Sequence, residues 1–229
     1  TTLFRSGTIE TPILLTNALC ASKVANSLIS YMLQDNSDIG VTTSTVNPLV
    51  LECNDGSLSQ TQNRVITEND VFNAITNATD DFLEGTIGAG AGMRCNGFKG
   101  GIGSSSRIIK IKDKEYVVGV LVNSNYGASN GAELIFNGRK LGGLIKDYNL
   151  AKEEDKGSIV IVIATNAPLD NRQLKRLAKR AELGVARTGS YGGHGSGDIM
   201  VAFSTENKVS HSPNYMEDNI VRFSDSYLN

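Results

Sequence analysis

Apolar residues along this chain keep two different periods, and the change between them marks out its elements. Ala21, Val24, Ala25, Leu28, Ile29 and Met32 recur at intervals of three and four, the spacing of one helical face. Thr16 or Asn17 can cap that helix, and Asp35-Asn36 ends it. A second helix is predicted from Thr67, with Asp70 at the capping-box position and Val71, Phe72, Ile75 and Ala78 facing inward. Downstream, residues 107–112 and 116–123 read as strands joined by a polar turn at Asp113-Lys114, and residues 123–131 as a loop. Residues 134–136 and 141–144 are weaker strand candidates. A charged run over 152–157 then meets a β-branched apolar run over 158–163, which reads as a buried strand. Asp170 can cap a third helix with Leu174, Leu177, Ala178 and Ala181 inside, and a glycine-rich turn over 189–197 leads into a last strand at 198–204. Strands and helices interleave without strict alternation, so the expected class is α/β or α+β in layers, with helices covering sheet.

Composition narrows the function classes. Apolar residues make up 40% and charged residues 20% of the 229, enough for one packed domain spanning 1–229 with no interior linker. Lys and Arg number 22 against 24 Asp and Glu, a balance unlike that of a dedicated nucleic-acid binder. The longest apolar run is too short to cross a bilayer, so no membrane role is expected. The first residues lack the apolar stretch of a secretory signal. Three cysteines (Cys20, Cys53, Cys95) at no metal-like spacing and two histidines (His194, His211) point away from a metal site or a disulfide scaffold.

Four stretches carry candidate chemistry. Gly101-Ile102-Gly103-Ser104-Ser105 looks like the phosphate loop of GHMP-type small-molecule kinases, although residues 107–112 read as a strand where that loop needs a helix; the plain alternative is a tight glycine turn between layers. In Tyr191-Gly192-Gly193-His194-Gly195-Ser196-Gly197-Asp198, three residue types of a hydrolase triad lie too close together to act as one. Ser196 and Asp198 alternate along a strand and can address one site together, while His194 reads as a turn residue. Arg172, Lys175, Arg176, Lys179 and Arg180 form the solvated face of an amphipathic helix.

The fourth is Lys156-Gly157-Ser158, where glycine and serine head a buried strand after a charged loop. An autoprocessing site has this form. Gly157 leaves the scissile carbonyl unhindered, Ser158 Oγ can attack it to give an ester, and water resolves the ester. The product serine carries a free α-amine whose reference pKa, about 8, suits a base near pH 7. Gly-Ser before a strand is also common without any such chemistry.

Taken in order, several blocks form one set. They are Thr11-Pro12-Ile13-Leu14-Leu15-Thr16-Asn17, Val46-Asn47-Pro48, Glu52-Cys53-Asn54-Asp55-Gly56, and Gly97-Phe98-Lys99-Gly100-Gly101-Ile102-Gly103. Val118-Gly119-Val120-Leu121-Val122, Asn125-Tyr126-Gly127, Gly157-Ser158, Ala164-Thr165-Asn166-Ala167-Pro168-Leu169-Asp170 and Gly195-Ser196-Gly197-Asp198-Ile199 complete it. In that order they resemble the L-aminopeptidase/D-esterase and β-peptidyl aminopeptidase family. The resemblance implies an αββα sandwich and self-cleavage into residues 1–157 and 158–229. It further implies release of N-terminal residues from short peptides, amides or esters, with no cofactor. Carried over position by position, Ser158 is the nucleophile, Ser196 and Asp198 are the serine-plus-acid pair that handles protons, and Asn125 donates to the oxyanion. Glu52 is the candidate partner of the substrate's ammonium. The resemblance also implies a homo-oligomer and a cytoplasmic location.

Ser57 stands where the family usually carries an aromatic, and the family pattern runs on at both ends, so the chain reads as the middle of a longer precursor. Three alternatives remain at this level: the GHMP-type kinase, an acyltransferase of the ornithine acetyltransferase kind, against which Ser158 in place of threonine counts, and an inactive assembly or ligand-binding module of the same fold.

Overall fold

A computed structural model describes residues 7–128, 131–142, 144, 156–211, 216–217 and 219–228. Its strands are β1 (Ile13–Asn17), β2 (Leu49–Cys53), β3 (Arg94–Cys95), β4 (Phe98–Lys99), β5 (Gly101–Ile111), β6 (Lys114–Asn125), β7 (Ile135–Phe136), β8 (Arg139–Lys140), β9 (Lys156–Thr165) and β10 (Gly195–Ser204). Its α-helices are α1 (Ala21–Asp35), α2 (Glu68–Thr76) and α3 (Asn171–Arg187). Parallel β1 and β2 form one sheet, and a second has the order β10-β9-β6-β5 with β9 parallel to β10 and antiparallel to β6. Two short hairpins, β3–β4 and β7–β8, stand apart from them.

Alternation along β9 explains the layering. Val160 and Val162 face β1–β2, packing with Leu51, Cys53, Met93, Ile13 and Leu15. Ile159, Ile161 and Ile163 face the other way, onto Leu177, Ala181 and Val185 of α3. On the far side of β1–β2, Leu14 and Val50 meet Val24 of α1 and Val71 of α2. Tyr31 and Phe72 join those two helices edge to face, with ring centroids 5.5 Å apart. The order helix, sheet, sheet, helix is the αββα sandwich. Because β9 is buried on both faces it reads as a continuous apolar run, and each fully buried valine or isoleucine there contributes about 1.5–3 kcal/mol.

The predicted capping box forms at Thr67 with Asp70, and Asp170 caps its helix as expected, completing a second box with Gln173 that the residue pattern did not foretell. Elsewhere the element limits differ from expectation. Asn17 caps a 3₁₀ turn, Ala18–Cys20, that precedes α1, accepting from Cys20 N at 3.0 Å. Ala78 lies past the end of α2 and is exposed, since the helix stops at Thr76. The hairpin turn is Lys112-Asp113, with Lys112 in the left-handed region at φ +54°, and Ile111 pairs with Lys114. Among the described residues of the expected strand over 141–144, none belongs to a strand, and the short hairpin over 135–140 takes that place; residue 143 lies outside the described residues. Strands β5, β6 and β10 run further than their apolar residues indicate, because a ladder of backbone hydrogen bonds needs no apolar side chains to continue.

The extension of β5 removes the phosphate-loop reading. Gly101 to Ser105 lie in an uninterrupted strand paired with β6, and no helix follows. The glycines serve close packing instead. A Cβ on Gly101 would stand 2.1 Å from Gly85 O, and one on Gly90 would stand 2.7 Å from Gly101 Cα. No helix among the described residues is long and apolar enough to cross a membrane.

Candidate active site

Ser158 is the third residue of β9, in the interior of the four-stranded sheet. It pairs with Asn125, the last residue of β6, on one side and with Gly197 of β10 on the other. Asn125 therefore belongs to a strand and not to the expected loop, and the register places it beside Ser158. The serine is only 9% exposed, and its side chain shares the face of Val160, toward β2.

Asn125 is held at three points. Its Oδ1 accepts from Arg94 N at 3.0 Å, supplied by the β3–β4 hairpin. Its Nδ2 donates to the Asn54 carbonyl at 2.8 Å and to Ser158 Oγ at 3.4 Å. A backbone N–H at one end of the amide and a backbone C=O at the other permit only this orientation. The turn after β2, closed by Leu58 N and Ser59 N on the Asp55 carbonyl, presents the Asn54 carbonyl. Cys53, wholly buried on the same face of β2 as Leu51, donates its thiol hydrogen to the Asn123 carbonyl at 3.7 Å. Burial pushes the Cys53 thiol up to about 11, so it stays protonated at neutral pH.

Gly157 has no room for a side chain. A Cβ there would stand 2.2 Å from Asn125 O and 2.8 Å from Tyr126 Cα, both backbone atoms. Its φ is not in the left-handed region, so close packing and not strain is what calls for glycine. We expect Gly157→Ala to part β9 from the end of β6. The cost is about 1–3 kcal/mol of stability, read as a lowered unfolding midpoint, with loss of the Asn125–Ser158 contact.

Ser196 and Asp198 come together, the Ser196 hydroxyl donating to Asp198 Oδ1 at 2.6 Å. They alternate to the α3 side of the sheet, while Gly197 between them lies on the Ser158 side, where its Cβ would be 3.8 Å from Ser158 Cβ. The pair thus does not touch the Ser158 hydroxyl directly. Ser196 is, however, in register with Gly157 and flanks the 157–158 peptide from the opposite face. Glu52 shares the face of Thr16, toward the α1–α2 layer, and its side chain points away from Cys53 and Ser158. His194 is exposed in the turn before β10, and the cationic face of α3 is exposed as well, Arg172 pairing with Asp225 at 2.7 Å.

Cys53, Asn54 and Arg94 are the neighbours that motif reading overlooks. Alternation in Leu49, Leu51 and Cys53 carries a signal for the first of them; the other two act through backbone atoms and leave none.

Comparison with known proteins agrees with this architecture. The chain is 37% identical over 216 residues to the beta-peptidyl aminopeptidase BapA of Sphingosinicella microcystinivorans, an alignment covering 88% of this chain and 53% of that protein. It is 40% identical over 173 residues to BapA of Sphingosinicella xenopeptidilytica, covering 71% and 43%. The chain thus spans about half the length of the curated relatives it matches. Among solved structures, a Pyrococcus horikoshii protein superimposes with a TM-score of 0.90 at 48% identity, covering 98% of this chain and 62% of the other. The L-aminopeptidase D-Ala-esterase/amidase of Ochrobactrum anthropi, described as a variant of the Ntn hydrolase fold, gives 0.83 at 32% identity, covering 94% and 59%. A Burkholderia sp. beta-aminopeptidase gives 0.84 at 30%, covering 99% and 63%. The family model for peptidase family S58 matches residues 1–228, and the chain belongs to that family.

Proposed function

We propose that this chain is the catalytic core of a self-processing serine aminopeptidase, which cleaves itself between Gly157 and Ser158 and then releases N-terminal residues from short peptides, amides or esters. The observation that carries the reading is the Ser158 hydroxyl. It is buried directly after a glycine that tolerates no side chain, and it sits beside an asparagine amide that two backbone groups hold in one orientation. The names of the relatives, aminopeptidases that act on β-peptidyl, L-amino or D-alanyl substrates, support the same substrate class.

In the first step Ser158 Oγ attacks the Gly157 carbonyl carbon and the Gly157–Ser158 C–N bond breaks. The hydroxyl proton ends on the departing nitrogen, leaving a Gly157 ester on Oγ and a free amine on Ser158. Water then hydrolyses the ester, returning the hydroxyl and leaving Gly157 as a carboxylate. In turnover the same Oγ attacks the substrate carbonyl, the α-amine of Ser158 accepts its proton, and the leaving amine or alcohol takes that proton away. An acyl-enzyme remains for water to resolve. Asn125 Nδ2 donates to the developing oxyanion, as a preoriented side-chain amide does well. Ser196 and Asp198, flanking the 157–158 peptide, hold the new amine and exchange protons with it. Glu52, which the alternation of β2 turns toward the α1–α2 layer and away from Ser158, is not given the substrate's ammonium, and Glu52→Gln is expected to leave KM and kcat unchanged in a steady-state assay.

A denaturing intact-mass spectrum tests the first step. Two fragments that divide between Gly157 and Ser158 are expected; a single uncut chain that nevertheless hydrolyses substrate would overturn the mechanism. Ser196→Ala and Asp198→Asn should leave the fold intact and lower kcat by about 10²–10⁴, the contribution of a positioned acid–base group. Wild-type turnover in both variants would remove the pair from the mechanism.

A further inference from the structure

The β3–β4 hairpin reaches Asn125 through a main-chain N–H, and the residue that sets the hairpin's shape is Asn96. Cys95 pairs with Phe98, which leaves Asn96 and Gly97 as a two-residue turn. Both have positive φ, +49° and +81°, as a tight hairpin turn that follows the twist of its strands requires. Asparagine is one of the few residues with a side chain that takes up this conformation readily. Arg94 and Asn96 lie two apart, so their N–H groups turn to the same edge of the hairpin, away from β4. Arg94 N donates to Asn125 Oδ1 at 3.0 Å, and Asn96 N donates to the Tyr126 carbonyl at 2.8 Å. One edge thus holds both the side chain of Asn125 and the backbone that follows it. Asn96 is 2% exposed, and a Cβ on Gly127 would stand 2.0 Å from its Oδ1. That oxygen is buried without a hydrogen-bond partner, and Nδ2 donates to the Cys95 sulfur, a weak acceptor, at 3.7 Å. A buried amide oxygen with no donor costs stability, so hydrogen bonds of the side chain do not explain asparagine here.

We propose that Asn96 is a positioning residue for Asn125. Its left-handed backbone bends the hairpin so that Arg94 N and Asn96 N meet Asn125 and Tyr126 together, and this fixes where Asn125 Nδ2 stands relative to Ser158. The proposal rests on the reading above, in which Ser158 attacks and Asn125 Nδ2 donates to the oxyanion. Nδ2 lies 3.4 Å from Ser158 Oγ. A donor that must meet developing charge at about 2.7–3.1 Å tolerates little displacement. Alanine at position 96 is strained in the left-handed region, and a hairpin that turns to relieve the strain carries Arg94 N away from Asn125. Glycine is not strained there and leaves the edge in place.

A second turn of the same kind supplies the control. Asn137 and Gly138 join β7 to β8 with φ of +49° and +75°, and both are exposed. Asn137→Ala meets the same backbone strain, while the hydrogen bonds that hold Asn125 come from elsewhere. Self-cleavage would be followed by intact mass over time, and turnover with an amino-acid p-nitroanilide that the wild type hydrolyses, with the unfolding midpoint measured alongside. Asn96→Ala is expected to slow cleavage at Gly157–Ser158 and kcat about tenfold, with KM unchanged, as a modest misplacement of a catalytic group does. Asn96→Gly is expected to recover most of both rates even where its unfolding midpoint stays low, and Asn137→Ala to keep wild-type rates despite a lowered midpoint. If the alanine chain does not fold, Asn96→Ser, a smaller change from asparagine, is read against the same two variants. Wild-type rates in Asn96→Ala would overturn the proposal. So would Asn96→Gly as slow as Asn96→Ala, or Asn137→Ala slowed in equal measure. Asn125→Ala, run in parallel, reports on the reading beneath: wild-type turnover there removes the oxyanion role and this proposal with it. A slow Asn125→Ala beside a fast Asn96→Ala removes this proposal alone.

Discussion

Ser158→Ala is expected to yield one uncut chain with no measurable hydrolysis and an essentially unchanged fold. The substitution removes a single oxygen from a residue already 9% exposed and leaves the β6–β9–β10 backbone ladder intact. Its structural cost is the 3.4 Å contact from Asn125, about 1 kcal/mol against a typical 5–15 kcal/mol of stability. Under the proposed mechanism its chemical cost is complete, because the hydroxyl would supply the nucleophile and self-cleavage the amine that serves as base. Intact mass, circular dichroism and an aminopeptidase assay on the same sample separate the two. A folded, uncut, inactive variant is the expected result, and two fragments from it would mean that another group cuts the chain.

The second large effect is expected at Asn125, where chemistry and structure fail together. Alanine there removes the donor proposed for the oxyanion, an effect expected to be about 10²–10³ in kcat. It also leaves the Arg94 N–H and the Asn54 carbonyl without their partner, at about 1–3 kcal/mol for each group that water cannot reach. Asn125→Asp is the sharper test. Its Oδ1 can still accept from Arg94 N, but the other oxygen then faces the Asn54 carbonyl, setting acceptor against acceptor, and can only take a hydrogen bond from Ser158 Oγ, never give one. We expect this variant to process and turn over as poorly as alanine despite its matching shape. Near-wild-type kcat in Asn125→Asp would show that the amide donates nothing to the transition state.

Residue pattern alone located what depends on periodicity. The 3.6-residue spacing in α1 and α3, the capping box at Thr67, the cap at Asp170 and the doubly buried run in β9 are all written in side chains, and the structure has them. What is not legible depends on register. Asn125 reads as a loop asparagine because Asn123, Ser124 and Asn125 lack the apolar alternation that marks a strand, although their backbone continues the ladder to Ser158. Ser196 and Asp198 can be foreseen as sharing a face, but the face is decided by pairing with β9, which sets Gly197 beside Ser158. The supports of Asn125 at Arg94 and Asn54 are main-chain groups, for which any residue type would serve.

The central place of β9 bears on how the two halves live after cleavage. Residues 156–165 are bonded to β6 on one edge and to β10 on the other, so the proposed cut at 157–158 would fall inside a sheet whose strands come from both fragments. The fragments cannot part without breaking that ladder and the apolar layers on each side of it. Before the cut they find each other as parts of one chain, at the high effective concentration a tether provides. Afterwards they are two molecules. Refolding of the heat-denatured processed protein should therefore be second order, faster at higher concentration and incomplete at low, while the uncut Ser158→Ala chain should recover at a rate independent of concentration. Processing would then act as a one-way latch on assembly, with the mature protein persisting through slow unfolding instead of ready refolding.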